Sequence, residues 1–167
     1  MQSTRTLAVL MALLPFTAVH AQAPAACDLE SLQHQRKDAT TIEHLEASWY
    51  FAVTHGDTDF ERCLLTADFM SIFPGGALKT LGDELRLTAK NKGQNRPVQQ
   101  LPGFTVRLHG DVAVAYTTWT PTSANLKPGV IADYFAWENG QWRVFFSQET
   151  PVGKDDTRTQ TRLRLLP

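Results

Sequence analysis

The sequence is poor in several features that would point to particular classes of protein. Its charges nearly cancel, with 16 Lys+Arg against 17 Asp+Glu, so the basic surface typical of nucleic-acid-binding proteins is missing. Beyond the N-terminus it has no apolar run approaching the roughly 20 residues of a membrane span. It has no repeats and only 2 cysteines. Hydrophobic residues make up 43% and aromatic residues 10%, which excludes disorder and predicts one globular domain in 167 residues.

The first residues are typical of a secretory signal peptide. Arg5 precedes a short apolar stretch, Leu7–Phe16, and small residues stand before two cleavage positions, after Ala21 and after Ala23. We favour cleavage after Ala21, because Pro24 would directly follow the other cut. The sequence therefore predicts a periplasmic or secreted protein. The predicted division is a signal peptide at 1–21, an N-terminal extension at 22–39, a folded domain at 40–152 and a flexible tail at 153–167.

Both cysteines, Cys27 and Cys63, lie in the mature part of the chain. In an oxidising compartment they are expected to form one disulfide, worth roughly 3–4 kcal/mol in the chain-entropy model. The alternative is a lipidated Cys27, although Pro24-Ala25-Ala26 lacks the large aliphatic residue expected before such a cysteine. A mass shift on reduction and alkylation decides between the two.

The first half of the mature chain predicts three helices and a short hairpin. Thr40 and Glu43 form a capping box, and apolar residues at helical spacing follow as far as Gly56. Asp57 then caps a short second helix and Thr80 caps a third. Between these two helices, Phe69–Phe73 is a predicted strand that turns at Pro74-Gly75-Gly76 and returns through Ala77-Leu78-Lys79.

The second half predicts four long antiparallel strands in two hairpins. The strands are Phe104–His109, Val112–Thr120, Val130–Glu138 and Gln141–Glu149, with turns at Gly110-Asp111 and Asn139-Gly140. An Asn-Gly pair between alternating runs is a strong hairpin signal. Helices followed by antiparallel strands make an α+β domain, with the helices packed on one face of a curved sheet.

The Asn139-Gly140 turn predicts which side chains face the interior. It pairs Glu138 with Gln141, and continued without interruption it places Asp133 opposite Phe146. The predicted inner face carries Ile131, Asp133, Phe135, Trp137, Trp142, Val144, Phe146 and Gln148. In the other hairpin, the register predicts an apolar face of Phe104, Val106, Leu108, Ala113, Ala115 and Trp119. Asp133 is the one charge on the inner face, and desolvation would raise its pKa, which makes it a functional candidate. The alternative is a structural acid that accepts hydrogen bonds from Trp49, Gln148 or a buried water.

Four short motifs resemble the SnoaL-like, or ketosteroid-isomerase-like, branch of the nuclear-transport-factor-2-like (NTF2-like) superfamily. They are Trp49-x-x-Ala52 with Gly56-Asp57; Asp68-Phe69-x-x-Ile72-x-Pro74-Gly75; Gly110-Asp111-x-Ala113-Val114; and Trp137-x-Asn139-Gly140-x-Trp142-Arg143-Val144. The resemblance implies a cone-shaped, curved antiparallel sheet wrapped around three N-terminal helices. It also implies a deep pocket between helices and sheet, and a homodimer formed through the sheet.

The resemblance carries over only part of the isomerase machinery. The general base would fall at Phe73, and the oxyanion-hole tyrosine at Trp49, with Tyr50 one residue away; only the protonated acid is matched, at Asp133. An epoxide hydrolase would need an arginine where Ile131 stands. Neither mechanism is favoured.

The sequence therefore predicts a protein that binds a small, largely apolar molecule in the cone pocket. The predicted ligand-binding residues are Trp49, Tyr50, Trp119, Asp133, Phe135, Phe146 and Gln148. One alternative is an isomerase or cyclase that uses Asp133 as general acid or base, with Tyr50, Gln148 or Tyr116 as its partner. Another is a non-catalytic dimerisation module. No cofactor is predicted, and the histidine spacing predicts no metal site.

Overall fold

The structure, a computed structural model, describes residues 29–94, 103–119 and 128–152, without the side chain of Ser31. The predicted signal peptide, Cys27 and the predicted tail at 153–167 lie outside these residues. A short 3-10 turn, Glu30–Leu32, precedes the helices and strands. These are α1 Ala39–His55, α2 Thr58–Leu64, β1 Leu65–Ile72, β2 Leu78–Thr80, α3 Leu81–Ala89, β3 Thr105–His109, β4 Val112–Trp119, β5 Gly129–Glu138 and β6 Gln141–Pro151. The order confirms the predicted α+β class.

The first helix begins differently from the prediction. The N-cap of α1 is Asp38, whose carboxylate accepts hydrogen bonds from the backbone N–H and hydroxyl of Thr41, at 2.9 and 2.8 Å. The capping box predicted at Thr40 and Glu43 is wrong, because Asp38 already satisfies the amide at this helix start. The helix ends, as predicted, at Gly56, whose φ of 78° favours glycine.

The other two helix starts agree with the sequence prediction. The Asp57 carboxylate accepts from the Phe60 N–H at 3.0 Å and caps α2. At α3, the Asp83 carboxylate accepts from the backbone N–H of Thr80 at 2.9 Å and from its hydroxyl at 2.7 Å. The described residues include no helix long and apolar enough to cross a membrane.

The sheet has six strands in the order β2-β1-β6-β5-β4-β3. All neighbouring strands are antiparallel except β1 and β6, which run parallel. The sheet is therefore mixed, whereas the sequence predicted an antiparallel sheet. β1 also begins at Leu65, before the predicted Phe69. The reason is that the chain leaves α2 directly into the sheet, with Leu65 both the C-cap of α2 and a partner of Val144.

The β5–β6 hairpin keeps the predicted register only near its turn. Asn139 and Gly140 have φ of 52° and 83°, and Trp137 pairs with Trp142 and Phe135 with Val144. These values fit a tight two-residue turn.

Between Tyr134 and Phe135 the register then shifts, because β6 contains one extra residue, Phe145. Beyond this bulge Tyr134 pairs with Phe146 and Asp133 pairs with Ser147, so the predicted pairing of Asp133 with Phe146 is wrong. Because side chains alternate, the bulge exchanges which residues of β6 face the helices.

The β3–β4 register agrees with the prediction, with Val106 opposite Ala115 and Leu108 opposite Ala113. Both alanines are fully buried. Leu108, however, is 42% exposed, so it does not join the predicted apolar face as a core residue. Its strand, β3, is one of the two edge strands of the sheet.

The hydrophobic core lies between the helices and the inner face of the sheet. Its largest members include Phe69, Phe135, Trp142, Ile42 and Leu64. The segment before α1 also belongs to the packed domain: Leu32 is buried in this core. The Gln35 side-chain oxygen accepts from the Trp142 backbone N–H at 2.7 Å, and the Arg36 carbonyl accepts from the Trp142 indole N–H at 3.2 Å.

Candidate functional site

A cavity of about 200 Å³ opens between α1 and the inner face of the sheet. Helix α1 supplies one wall, and residues of β1, β5 and β6 and the segments beside β1 and β3 supply the others. The lining residues are Glu46, Trp49, Tyr50, Val53, Ile72, Phe73, Phe104, Ile131, Asp133, Ser147 and Glu149. The lining is mainly aromatic and aliphatic, and three carboxyl groups interrupt it.

Two of the carboxyl groups face each other. Glu46 comes from α1 and Asp133 from β5, with exposed fractions of 3% and 2%, and their side chains interact with each other. Ser147, across the strand pair on β6, also interacts with Asp133. One oxygen of each acid, Glu46 Oε1 and Asp133 Oδ1, is buried without a hydrogen-bond partner among the described residues.

Burial controls the protonation of this pair. Desolvation raises the pKa of Asp133 to about 7, although the hydrogen bonds from Ser147 and Glu46 oppose the rise. Burial also raises the pKa of Glu46 well above its usual range, and the charge of Asp133 raises it further. Burial therefore disfavours the charged form of both acids, and Asp133 titrates near neutral pH.

The third carboxyl, Glu149, lies in a different electrostatic setting. Burial raises its pKa, and the indole of Trp119 and the charge of Lys79 oppose that rise. Lys79 lies over the ring of Phe73, with its ammonium nitrogen 3.0 Å from the ring centroid. The basic group that acts on Glu149 is thus held against an aromatic face.

Trp49 shows how the helices fix the cavity wall. Its ring lines the cavity and packs edge-on against Phe69, with the ring centroids 6.2 Å apart. Its indole N–H donates to Glu61 Oε1 at 3.2 Å, so the Trp49 side chain is tied to α2. The alternative in which Trp49 donates to Asp133 is therefore wrong. Burial raises the pKa of Glu61, while the hydrogen bond from Trp49 opposes the rise.

The structure brings three of the predicted ligand-binding residues together at the cavity. Trp49, Tyr50 and Asp133 all line it. Phe135 is fully buried in the core and is not part of the lining. Trp119 does not line the cavity either, but its side chain interacts with Glu149, which does.

Phe146 and Gln148 were predicted to bind the ligand, but neither lines the cavity. Phe146 pairs with Tyr134, and their rings pack at 5.6 Å; Gln148 pairs with Ala132. Both residues lie on the face of the sheet away from the cavity, because the Phe145 bulge shifts the alternation by one residue. Gln148 therefore cannot partner Asp133. Tyr116, which also pairs with Ala132, lies on this outer face as the sequence predicted.

Three polar residues of the cavity lining were not predicted as site residues: Glu46, Ser147 and Glu149. Glu46 had a readable signal, because it lies four residues after Ile42 and three before Trp49, within the apolar stripe of α1. A charged residue at such a position is expected to be buried. The sequence gives no such signal for Ser147 and Glu149, because uninterrupted alternation places both on the outer face.

A metal centre is not evident in the part of the chain that the structure describes, where no group of three or more His, Cys, Asp or Glu side chains is arranged to hold an ion. The half-buried Cys63 packs against the core, whereas its predicted partner, Cys27, lies outside the described residues, so the disulfide stays a prediction.

Comparison with known proteins identifies the fold. No protein-family model and no curated protein matches the sequence. Among solved structures, an NTF2-like protein from Cytophaga hutchinsonii matches 68% of this chain and 97% of its own, with a TM-score of 0.58 and 18% identity. A candidate calcium/calmodulin-dependent kinase II association domain from Exiguobacterium sibiricum is also similar. The match covers 72% of this chain and 99% of that domain, with a TM-score of 0.56 and 17% identity.

A candidate dehydratase of the NTF2-like family from Streptomyces avermitilis matches 66% of this chain and 93% of its own, with a TM-score of 0.51 and 20% identity. These similarities do not specify the SnoaL-like branch, which stays a prediction. With its helices packed on a six-stranded sheet, this chain has the NTF2-like fold.

Proposed function

We propose that the protein binds a small, largely apolar molecule in the cavity, with the polar end of that molecule against Glu46 and Asp133. One observation carries the proposal: a mainly aromatic and aliphatic cavity contains two buried carboxyl oxygens without partners among the described residues. Ligand sites commonly combine apolar walls with a few converging polar groups. A buried acceptor left without a donor costs about 1–3 kcal/mol, which a ligand donor would recover.

The size of the cavity limits the ligand. An apolar protein cavity of about 150 Å³ accommodates benzene, and this one measures about 200 Å³. A compound with one ring, or a short branched chain, is therefore the expected occupant. A fused polyketide or steroid skeleton would extend beyond the cavity.

A matched pair of variants on α1 tests the binding site. Val53→Phe adds bulk inside the cavity, whereas Ala47→Phe adds a ring on the exposed side of the same helix. Compounds with one ring are titrated into the mature protein and followed by tryptophan fluorescence and thermal stability. We expect binding to the wild type and Ala47→Phe, and at least tenfold weaker binding to Val53→Phe. Equal affinity in all three proteins, or no binding by any compound, would contradict the proposal.

The carboxyl pair also favours a second candidate, an isomerase or cyclase in which Asp133 is the general acid or base. A group that titrates near the working pH, in a desolvated pocket, suits proton transfer, and the pKa of Asp133 is about 7. Glu46, which interacts with Asp133, supports this candidate as the partner acid, and Tyr50 lines the cavity. Gln148 and Tyr116 lie on the outer face of the sheet.

Deuterium exchange tests this candidate. A ligand recovered from the purified protein is incubated with fresh protein in D₂O. Its increase in mass is then measured by mass spectrometry. Catalysis by Asp133 predicts that the wild type incorporates deuterium at carbon and that Asp133→Asn does not. Equal incorporation in both proteins would exclude the mechanism.

We further propose export through the N-terminal signal and a homodimer formed by the outer face of the sheet. Support for the dimer comes from a row of apolar residues across three neighbouring strands, where Met70 pairs with Phe146 and Phe146 with Tyr134. Beside them Phe145 is 37% exposed. Light scattering after gel filtration should give a dimeric mass for the wild type and a monomeric mass for Phe145→Asp. A monomeric wild type would exclude the dimer.

A further inference from the structure

The charges around the cavity are unbalanced. Three carboxyl groups line it, from Glu46, Asp133 and Glu149, and none of the described lining residues is basic. Lys79 acts on Glu149, but it does not line the cavity and it lies over Phe73. We propose that the ligand of this cavity is an organic cation, a protonated amine on a small apolar group, with the ammonium between Asp133 and Glu46. This inference rests on the proposed binding function.

The acceptors in the wall favour a cation over other ligands. Asp133 Oδ1 and Glu46 Oε1 are both buried and lack partners among the described residues. An ammonium group offers three donors and a positive charge, so it satisfies both oxygens and balances the ionised Asp133. An anionic ligand would be repelled by the same groups. A neutral hydrocarbon would leave both oxygens unpaired.

The remaining walls suit the same ligand. Trp49, Tyr50, Phe73 and Phe104 place aromatic side chains in the lining. Aromatic faces attract cations, and they also cover the apolar group that carries the amine. Because the cavity is partly desolvated, the attraction between the ammonium and Asp133 is stronger there than in water.

The pH dependence of binding follows from the groups that face Asp133, which come from α1, β6 and β4. Helix α1 presents Glu46, β6 presents the neutral Ser147 and, two residues further on, Glu149, and β4 presents the uncharged Ala115. The ammonium favours the ionised form of Asp133, whereas burial disfavours ionisation of Glu46. Affinity for an amine is therefore expected to rise with pH until Asp133 is fully ionised, and binding near neutral pH should release protons.

Calorimetry with three probes of the same shape tests the inference. Benzylamine, benzyl alcohol and benzoate are titrated into the mature protein at pH 6 and pH 8, each pH in two buffers of different ionisation enthalpy. We expect benzylamine to bind at least tenfold more tightly than benzyl alcohol at pH 8, with a smaller preference at pH 6, and benzoate not to bind. The difference between buffers should show proton release with benzylamine alone.

Two variants show whether the cavity causes the preference. Asp133→Asn should remove it, while Asp59→Asn, the same change at an exposed position of α2, should retain it. Circular dichroism of both variants checks that loss of the preference is not caused by unfolding.

The possible failures are distinguishable. If benzyl alcohol binds as tightly as benzylamine, or Asp133→Asn keeps the preference, the cation is excluded and the binding function stands. If none of the probes binds and Val53→Phe has no effect on any ligand, both the cation and the binding function fail.

Discussion

Replacing Asp133 with Asn should change how stability depends on pH. In an unfolded chain an aspartate has a pKa of about 3.9, whereas folding raises the pKa of Asp133 to about 7. Between these values the folded protein binds more protons than the unfolded chain, so the free energy of unfolding decreases as pH rises. The contribution of Asp133 to stability is largest in acid and is lost as pH passes through 7.

The size of this effect follows from the two pKa values. Each unit of difference corresponds to about 1.4 kcal/mol, and titration of this one group gives a loss of about 2.5 kcal/mol between pH 5 and pH 8. Asn keeps the shape of the side chain but does not ionise. The free energy of unfolding of Asp133→Asn, relative to the wild type, should therefore increase by about 2.5 kcal/mol over this range.

Urea unfolding of the mature protein, followed by tryptophan fluorescence at half-unit steps from pH 5 to pH 8, measures the effect. The exposed control, Asp59→Asn, should follow the wild-type curve at a constant offset. If the curves of Asp133→Asn and the wild type also stay parallel, Asp133 does not change its protonation in this range. The electrostatic account of the cavity would then be refuted.

Urea unfolding checks three further predictions. Phe135→Ala removes a fully buried ring and should cost about 3–5 kcal/mol; a cost below about 1 kcal/mol would contradict its place in the core. Asp38→Ala should cost about 1 kcal/mol, whereas Thr40→Ala should change little; the reverse result would restore the capping box at Thr40. Gly56→Ala should cost more than about 1 kcal/mol, because φ is 78° and a Cβ would lie 2.5 Å from the backbone nitrogen of Lys92; unchanged stability would contradict this geometry.

The sequence predicts most of the fold because most of its signals are local. Gly56, Asp57 and the Thr80–Asp83 box act within one helical turn, and Asn139-Gly140 determines its own turn. The parallel pairing of β1 with β6 joins strands about 75 residues apart in the chain, and no local pattern indicates such a neighbour.

The site was harder to predict for a specific reason. In the run Val144-Phe145-Phe146 every residue is apolar, so alternation does not show which phenylalanine is the extra one. The bulge is a property of the assembled sheet, and it decides that Ser147 and not Phe146 meets Asp133. Glu46, by contrast, was predictable from its place in the helical stripe of α1.

The bulge at Phe145 makes the cavity lining insensitive to one kind of change and sensitive to another. Loss of the Phe145 codon would close the bulge but leave Phe146 opposite Tyr134 and Ser147 opposite Asp133, so Ser147 and Glu149 would still face the cavity. A slip of the outer part of β6 by one residue, with Phe145 kept and paired to Tyr134, would instead turn Phe146 and Gln148 towards Asp133. The acidic lining therefore depends on where the strand places its extra residue and not on the length of the strand.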